Sequence, residues 1–273
     1  VALLFAGGTV PFEVIVVACP AGSAAVAARA DADRIKLIPF DEANISAARN
    51  LGVAAAAGEV VAFTDDDAVP EPLWLRHLSA PFADAGVACA GGYVLGRNGI
   101  SFQWTARGVD RTGTAHALAV PGDRPVIINA TEERIIKTEG TNMAVRRDTL
   151  AELGGFDPAF RFYLDETDLN MRLSLAGHAT AIVPLARVHH GFAESDRRSA
   201  GRVPRDLREI GASQMVFLRK YCAASEIKPA WTAFRADQKR RLLRLMQGGP
   251  LGADDLVRLL RGLDAGGRAG RAR

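Results

Sequence analysis

Short apolar runs and longer amphipathic segments alternate along the first part of the chain. The short runs are rich in Val and Ile, which is typical of strands buried on both faces of a sheet. They occupy residues 12–19, 34–40, 60–64 and 86–96. Segments with helical spacing occupy residues 44–59 and 72–82. This strand–helix–strand order predicts an α/β fold with a Rossmann-like, mostly parallel sheet flanked by helices.

The later part of the chain predicts two more helices, a late strand and a helical C-terminal extension. The helices are expected at residues 146–156 and 165–178, and the strand at residues 179–190. Beyond Phe192 the chain is Arg-rich, and it ends in a run of Gly, Ala and Arg. We therefore expect three parts, which are an α/β domain, a basic helical extension and a disordered tail. Their predicted bounds are residues 1–193, 194–265 and 266–273.

The net charge of +3 is unevenly distributed. From residue 195 onward there are 18 Lys and Arg against 8 Asp and Glu, so the body is acidic and the extension basic. The densest basic segment is 234–246, which also carries apolar residues. Its apolar side can pack on the α/β domain with the basic side in water, or the segment can lie on an anionic membrane surface. No nucleic-acid partner is expected.

Cysteine usage and hydropathy favour a cytoplasmic protein, with contact to the inner membrane face as an open alternative. The three cysteines, Cys19, Cys89 and Cys222, lie far apart without metal-ligand or disulfide spacing, which favours a reducing compartment. The chain contains no apolar run of about 18 residues, so the sequence predicts no transmembrane helix.

Three carboxylates, Asp65, Asp66 and Asp67, directly follow the apolar run at residues 60–64. Ligands of open α/β sheets bind at the carboxyl ends of the strands. Oxygen ligands at such a point favour Mg²⁺ or Mn²⁺, which in turn bind substrate phosphates. The alternative is a polar turn before Pro72, but such a turn gains little from a third Asp. The pattern favours a metal site.

Two further features are candidates for chemistry, each with a structural alternative. Asp165, Glu166 and Asp168 open the predicted helix at 165–178, where acids also serve as capping groups and complement the helix dipole. His189 and His190 end the late strand and are either ligands or hydrogen-bonded core residues.

Taken together, these features resemble family 2 glycosyltransferases with the GT-A fold. The resemblance runs from Phe12 to about His190. It is carried by the stretches "PFEVIVV", "SAARNLGVAAAAGEVVAFTDDDAVPEPLWL", "GTNMAVRRDTLAELGGFDPAF" and "FYLDETDLNMRLSLAGH". It implies a nucleotide-sugar donor, Mn²⁺ or Mg²⁺, and transfer with inversion to a saccharide or lipid-linked acceptor in envelope or polysaccharide synthesis.

The resemblance also implies roles for individual residues of the acidic motif and its neighbours. Asp67 matches the metal ligand of the family's D-x-D element. Asp65 and Asp66 match positions that hold the ribose or complete the outer shell of the metal. Arg49 is expected near the base or the phosphates, and His189 matches a histidine that ligates the metal in some members.

The remaining implied roles concern the sugar and the acceptor. Thr141 and Asn142 lie in the segment expected to close over both substrates, where they would touch the transferred sugar. Glu166 falls at the position of the catalytic base and Asp165 precedes it, in the reverse of the usual Glu-Asp order. A base here would take the proton from the acceptor hydroxyl as it attacks.

The sequence departs from the family's pattern near its start. Only "VALLFAGGTVP" precedes Phe12, so the usual first strand and helix are expected to be missing. "VACPAGS" stands where an acidic base-binding stretch is common. A catalytically impaired GT-A domain that acts in binding or assembly is therefore one alternative function. A haloacid-dehalogenase-like phosphatase, with Asp65 as nucleophile and Asp67 as acid/base, is another.

Overall fold

The computed structural model describes residues 10–131, 135–199 and 201–273. The chain divides into two compact units. The first contains the chain up to Val109 together with residues 115–158 and 165–191. The second contains residues 110–114, 159–164 and 192–273. Most of the segment before Phe12, where the sequence predicts a missing strand and helix, lies outside the described residues.

The first unit contains the strands and five of the helices of the described chain. The strands are β1 Val14–Ala18, β2 Ile35–Pro39, β3 Val60–Phe63, β4 Ala68–Pro70, β5 Val87–Leu95, β6 Phe102–Trp104, β7 Arg107–Val109, β8 Ala115–Ala117, β9 Val126–Ile128, β10 Ile135–Lys137, β11 Met143–Arg146 and β12 Ala179–His190. The helices are α1 Pro20–Ala27, α2 Ile45–Ala55, α3 Trp74–Ser79, α4 Arg147–Glu152 and α5 Asp165–Leu175. These elements establish the predicted α/β class.

The main sheet is mixed, with the strand order β3-β11-β5-β12-β4, while β6 pairs with β5 and β9 with β12. β5 and β12 run parallel, whereas β11 is antiparallel to both of its neighbours. β1 and β2 form a separate parallel pair, and β10, β7 and β8 form a small antiparallel sheet. The antiparallel insertion of β11 beside β3 joins segments about 80 residues apart in sequence, so local periodicity does not reveal it.

Both faces of the main sheet are buried, which explains the continuous apolar runs. On β11, Ala144 packs on one face with Trp74 of α3. Met143 and Val145 pack on the other face with apolar residues of α4 and α5. Successive side chains of β11 thus point alternately into two apolar layers, one on each face of the sheet. The helices that pack on these faces hold the strands in place, and the polar residues lie at the strand ends.

The second unit contains three helices, α6 Arg208–Tyr221, α7 Ala224–Gln247 and α8 Ala253–Gly270. Leu242 of α7 is buried with Leu259 and Leu263 of α8, and Phe234 and Met246 pack against this cluster. Phe234, Leu242 and Met246 therefore pack within the second unit, whereas the first of the two alternatives placed the apolar residues of this segment on the α/β domain. Among the described residues, no helix has both the length and the apolar character needed to cross a membrane.

The C-terminal residues differ from the predicted disordered tail, because α8 continues as a helix to Gly270. Gly266, Gly267 and Gly270 are buried. A methyl group on Gly266 would lie 1.9 Å from the carbonyl oxygen of Arg208 on α6, and one on Gly270 would lie 2.3 Å from that of Ala212. The glycines let the backbones of α6 and α8 approach each other directly. A Gly-rich segment whose composition is typical of disorder thus forms the face of α8 that packs on α6.

Candidate functional site

Asp65, Asp67 and His190 converge beyond the end of β3. Each offers one ligand atom, and these atoms all lie within 4.8 Å of one another. The pairing of β4 with the end of β12 creates this arrangement, because Ala68 lies opposite His190 in the antiparallel register. His190 Nε2 consequently lies 3.2 Å from Asp67 Oδ1.

The chemistry of these three residues fits a divalent cation. Metal–ligand distances of about 2.0–2.4 Å allow two ligand atoms of one ion to lie up to roughly 4.8 Å apart. His190 Nδ1 lies 2.9 Å from the amide oxygen of Gln103, which accepts a hydrogen bond and so fixes the proton on Nδ1. With the proton on Nδ1, Nε2 is the ring atom that would serve as the ligand of the ion. This outer hydrogen bond is the usual second interaction of a metal-binding histidine.

His189, the sequence-predicted ligand, lies outside this group of three, and His190 takes its place. Successive side chains of a strand point to opposite faces, so a one-residue difference moves the imidazole from one side of β12 to the other. His189 Nε2 lies 3.4 Å from Glu71 Oε1 in a partly exposed pair. Asp66 is exposed and is also outside the group.

Arg49 connects the two acidic clusters that the sequence singled out. Its guanidinium lies 3.6 Å from Asp65 and is hydrogen-bonded to Asp165. The rings of Phe63 and Phe156 lie 6.0 and 5.2 Å from it, so the cation is held against aromatic faces. Burial raises the pKa of Asp65, and Arg49 opposes this shift. The sequence predicted Arg49 near the base or the phosphates of the donor. In the structure Arg49 pairs with the carboxylates of Asp65 and Asp165.

Gly140 makes room for this arginine. A methyl group on Gly140 would lie 2.4 Å from one terminal nitrogen of the Arg49 guanidinium. A larger residue would therefore displace the side chain that neutralises Asp65 and Asp165. The glycine of the "GTNM" stretch is explained by this close approach.

Asp165 and Glu166 begin α5 with opposite pKa shifts. Burial raises the pKa of Asp165 to about 7, although Arg49 acts to lower it. Burial also acts to raise the pKa of Glu166, but the Lys137 ammonium, 2.5 Å from Glu166 Oε1, outweighs it and brings that pKa to about 2. Glu166 is therefore an ionised carboxylate at neutral pH. Asp168, the third acid, is buried in an ion pair with Arg172 at 2.8 Å, which favours its structural interpretation.

A buried charge network behind Glu166 was missed by the sequence analysis. Lys137 also donates to Thr167 Oγ1 at 2.8 Å and lies 3.6 Å from Glu139. Glu139 in turn pairs with Arg107. The available signal was the alternation of Lys137 and Glu139 with Thr138 after the apolar pair Ile135–Ile136.

Thr141 and Asn142 differ in their suitability for binding a sugar. Asn142 is completely buried. Its amide nitrogen donates to the carbonyl oxygens of Tyr93 and Ala186 at 2.8 and 2.9 Å, and its oxygen accepts from Trp74 Nε1 at 2.8 Å. The hydrogen-bonding groups of Asn142 hold the sheet together, which favours a structural role over the predicted contact with the sugar. Thr141 is buried near Asp65, and its hydroxyl helps to offset the rise that burial causes in the pKa of that carboxylate.

The sequence model of the glycosyltransferase like family 2 matches residues 2–212, well over half of the chain. The chain belongs to this family. The assignment agrees with the resemblance carried by the acidic motif and by the stretches around it.

Several characterised glycosyltransferases are similar to parts of the chain. The pre-mycofactocin glycosyltransferase of Mycobacterium tuberculosis is 30% identical over 147 residues, which are 53% of this chain and 29% of that protein. The glucosyl-dolichyl phosphate glucuronosyltransferase of Haloferax volcanii is 33% identical over 129 residues, 46% of this chain and 39% of that protein. The chain thus spans well under half of the length of these curated relatives.

The solved structure of a mannosyltransferase from Pyrobaculum calidifontis, in complex with GDP-Man and Mn²⁺, shares the fold. It superposes with a TM-score of 0.50 at 17% sequence identity and covers 95% of this chain and 77% of that one. The predicted GT-A fold is confirmed, and it includes the helical C-terminal region.

Proposed function

We propose that this chain transfers a glycosyl group from a nucleoside-diphosphate sugar to an acceptor hydroxyl. The observation that carries the proposal is the convergence of Asp65, Asp67 and His190 on one point at the carboxyl end of β3. The negative charge of a diphosphate placed there would be repelled by the carboxylates of Asp65 and Asp67. A bound cation would remove this repulsion. Arg49 provides one positive charge beside Asp65, and a divalent ion would provide the rest.

Asp67 and His190 are the proposed principal ligands of that ion, with Asp65 as a third ligand or as a contact to the ribose. When bound, Mn²⁺ or Mg²⁺ would neutralise the charge that develops on the departing nucleoside diphosphate. The Pyrobaculum calidifontis mannosyltransferase is in complex with both GDP-Man and Mn²⁺, which supports a nucleotide sugar and a divalent ion as a pair.

Glu166 is the proposed general base of an inverting displacement. Its Oε1 accepts hydrogen bonds from Lys137 at 2.5 Å and from Thr167 at 3.0 Å. We therefore assign Oε2 to the acceptor hydroxyl, whose proton it would take as the oxygen attacks the anomeric carbon. Lys137 keeps the carboxylate ionised and oriented. Asp165, held by Arg49, links the base to the diphosphate site.

The acceptor is proposed to be a saccharide or a lipid-linked saccharide of the cell envelope. The N-acetylglucosaminyl-diphospho-decaprenol L-rhamnosyltransferase of Mycobacterium tuberculosis, 39% identical over 59 residues, is named for such an acceptor. That match covers 22% of this chain, so it supports the class of acceptor and nothing narrower.

Family membership favours sugar transfer over the phosphatase alternative. The remaining alternative, an impaired GT-A domain acting in binding or assembly, predicts that a nucleotide sugar does not turn over. Calorimetry with UDP-, GDP- and dTDP-sugars in the presence of Mn²⁺, followed by product analysis with the donor that binds, separates the two. Binding with glycosyl transfer or donor hydrolysis supports the enzyme, whereas binding without turnover, or absence of binding to the whole panel, supports the alternative.

The same titration tests the cation site with a matched pair of variants. Asp67→Ala should abolish Mn²⁺-dependent donor binding, because it removes a carboxylate from the group of three. Asp66→Ala is the control, because it removes the same charge from the adjacent exposed position. Equal loss of donor binding in both variants would show that the overall negative charge of the motif, and not coordination by Asp67, determines the affinity for the donor.

A further inference from the structure

The second unit contains a cleft of about 560 Å³ whose lining is dominated by arginine. Arg205 and Arg208 line it from the start of α6 and the segment before it. Arg258, Arg261 and Arg268 line it from α8, and Asp206 is the one acid among the lining residues. The cleft is built entirely from residues of the second unit, so it shares no residue with the acidic group at the end of β3.

The arrangement of α8 produces this cleft. Arg261 and Arg268 are seven residues apart and so lie on one side of the helix. Gly262 and Ala265 lie between them and also line the cleft, so small side chains form its floor. Leu259 and Leu263 are buried in the apolar cluster, which anchors α8 and fixes the direction of its arginine side.

The positive charges of the cleft are only partly balanced within the protein. Arg205 pairs with Glu194, and Arg258 pairs with Asp255 at 2.9 Å. In the part of the chain that the structure describes, Arg208, Arg261 and Arg268 have no carboxylate partner. Asp206 accepts a hydrogen bond from the backbone N–H of Arg208 at 2.8 Å. The cleft is therefore lined by several positively charged side chains that lack full compensation by carboxylates.

We infer that this cleft binds a phosphate or diphosphate group. Guanidinium groups match the oxygens of phosphate in geometry as well as charge, and several around one space favour a polyvalent anion. The volume suits a small ligand or a lipid headgroup. The described lining has no aromatic ring on which a base could stack, which disfavours single-stranded nucleic acid as the occupant.

Calorimetry with inorganic pyrophosphate at low ionic strength tests the site. EDTA is included so that a divalent ion in the first unit does not contribute to binding. The double variant Arg261→Gln/Arg268→Gln should bind at least about tenfold more weakly, since each lost charge-assisted contact corresponds to roughly that factor or more. The variant Ala265→Met should also weaken binding, because it fills the floor of the cleft and keeps every arginine.

The matched control is Lys228→Gln/Lys239→Gln, which makes the same change in net charge at two exposed positions of α7. Its affinity for pyrophosphate should equal that of the parent. Equal weakening in both double variants would show a non-specific charge effect and would overturn the inference. Thermal unfolding of each variant excludes loss of the folded state as the cause of weaker binding.

Sedimentation with phosphatidylcholine vesicles, with and without phosphatidic acid, distinguishes the two sources of phosphate. Binding only to vesicles that contain phosphatidic acid, lost in the arginine variant and kept in the lysine variant, assigns the cleft to a lipid headgroup. Binding of pyrophosphate without binding of vesicles assigns it to a free phosphate compound. The inference fails if the parent binds neither probe, or if an oligonucleotide binds more tightly than pyrophosphate and depends equally on both pairs of residues.

Discussion

The two adjacent histidines at the end of β12 lie in different surroundings, and this difference can be measured. His190 faces Asp67, whereas His189 faces Glu71. His190→Gln should weaken Mn²⁺ binding by at least about tenfold, because it removes a proposed ligand. His189→Gln should leave it unchanged. Titration of Mn²⁺ followed by electron paramagnetic resonance checks both, and the reverse result would restore the ligand that the sequence predicted.

The paired carboxylates of α5 make a second prediction for individual residues. Glu166→Gln should lower kcat by on the order of 100-fold while donor affinity stays nearly unchanged, as expected when a general base is lost. Asp165→Asn should instead weaken donor binding, because it releases the Arg49 side chain that lies beside Asp65. Single-turnover rates and donor titrations separate the two effects. If Asp165→Asn alone lowers kcat, the two roles are reversed.

Individual residues also show what a sequence can and cannot reveal about a site. The three adjacent aspartates were recognisable because charge repulsion at the end of a buried strand calls for a cation. Asn142 was not, because an amide can serve a substrate or the sheet equally well. Only the positions of its three partners decide between these roles, and those partners lie 44 to 68 residues away in the sequence.

Among the elements, the contact between α6 and α8 gives a prediction with an internal control. Gly266→Ala should lower the free energy of unfolding by at least about 2 kcal/mol, because the added methyl group meets the backbone of α6. Gly262→Ala on the same helix should raise it by roughly 0.5–1 kcal/mol through helix propensity, because its nearest neighbour is a side-chain oxygen at 3.4 Å. Urea denaturation measures both. Equal effects of the two substitutions would contradict the close packing of these helices.

The elements differ in how far their sequence predicts them. The strands β1, β2, β3, β5 and β12 and the Ala-rich helix α2 follow from local periodicity, and they were predicted to within a few residues, whereas the buried strand β11 was not predicted. β4 has only three residues and no periodic signal, yet its pairing with β12 brings Asp67 to His190. β7 and β10 are also only three residues long and have no periodic signal, and they carry Arg107 and Lys137. Short strands fixed by long-range pairing thus form much of the site, and local patterns do not contain that information.

For the whole molecule, the buried pair of Lys137 and Glu166 predicts how stability depends on pH. The pKa of Glu166 is lowered to about 2, so its stabilisation is present above the ordinary pKa of 4.5 and is lost as the pH falls toward 2. Lys137→Met removes this contribution and leaves a buried charge without its partner, at a cost of about 3–5 kcal/mol near neutral pH. The difference in stability between parent and variant should therefore shrink on acidification.

Urea denaturation of parent and variant across the acid range measures this difference. Lys36→Met is the control, because Lys36 pairs with Glu13 at the exposed surface, where an ion pair contributes little. It should change stability by less than about 1 kcal/mol at any pH. A constant gap between the parent and Lys137→Met from neutral to acid pH would show that Glu166 does not depend on Lys137 for its ionisation.

Arg49 has a further consequence for the working cycle of the proposed enzyme. The guanidinium lies against the rings of Phe63 and Phe156 and pairs with both Asp65 and Asp165, so it brings a fixed positive charge to the two carboxylates. Part of the negative charge at the end of β3 is therefore balanced by the protein's own side chain. Asp65, Asp67 and His190 would then hold the proposed Mn²⁺ or Mg²⁺ for its role at the diphosphate, which is to neutralise the charge of the leaving group.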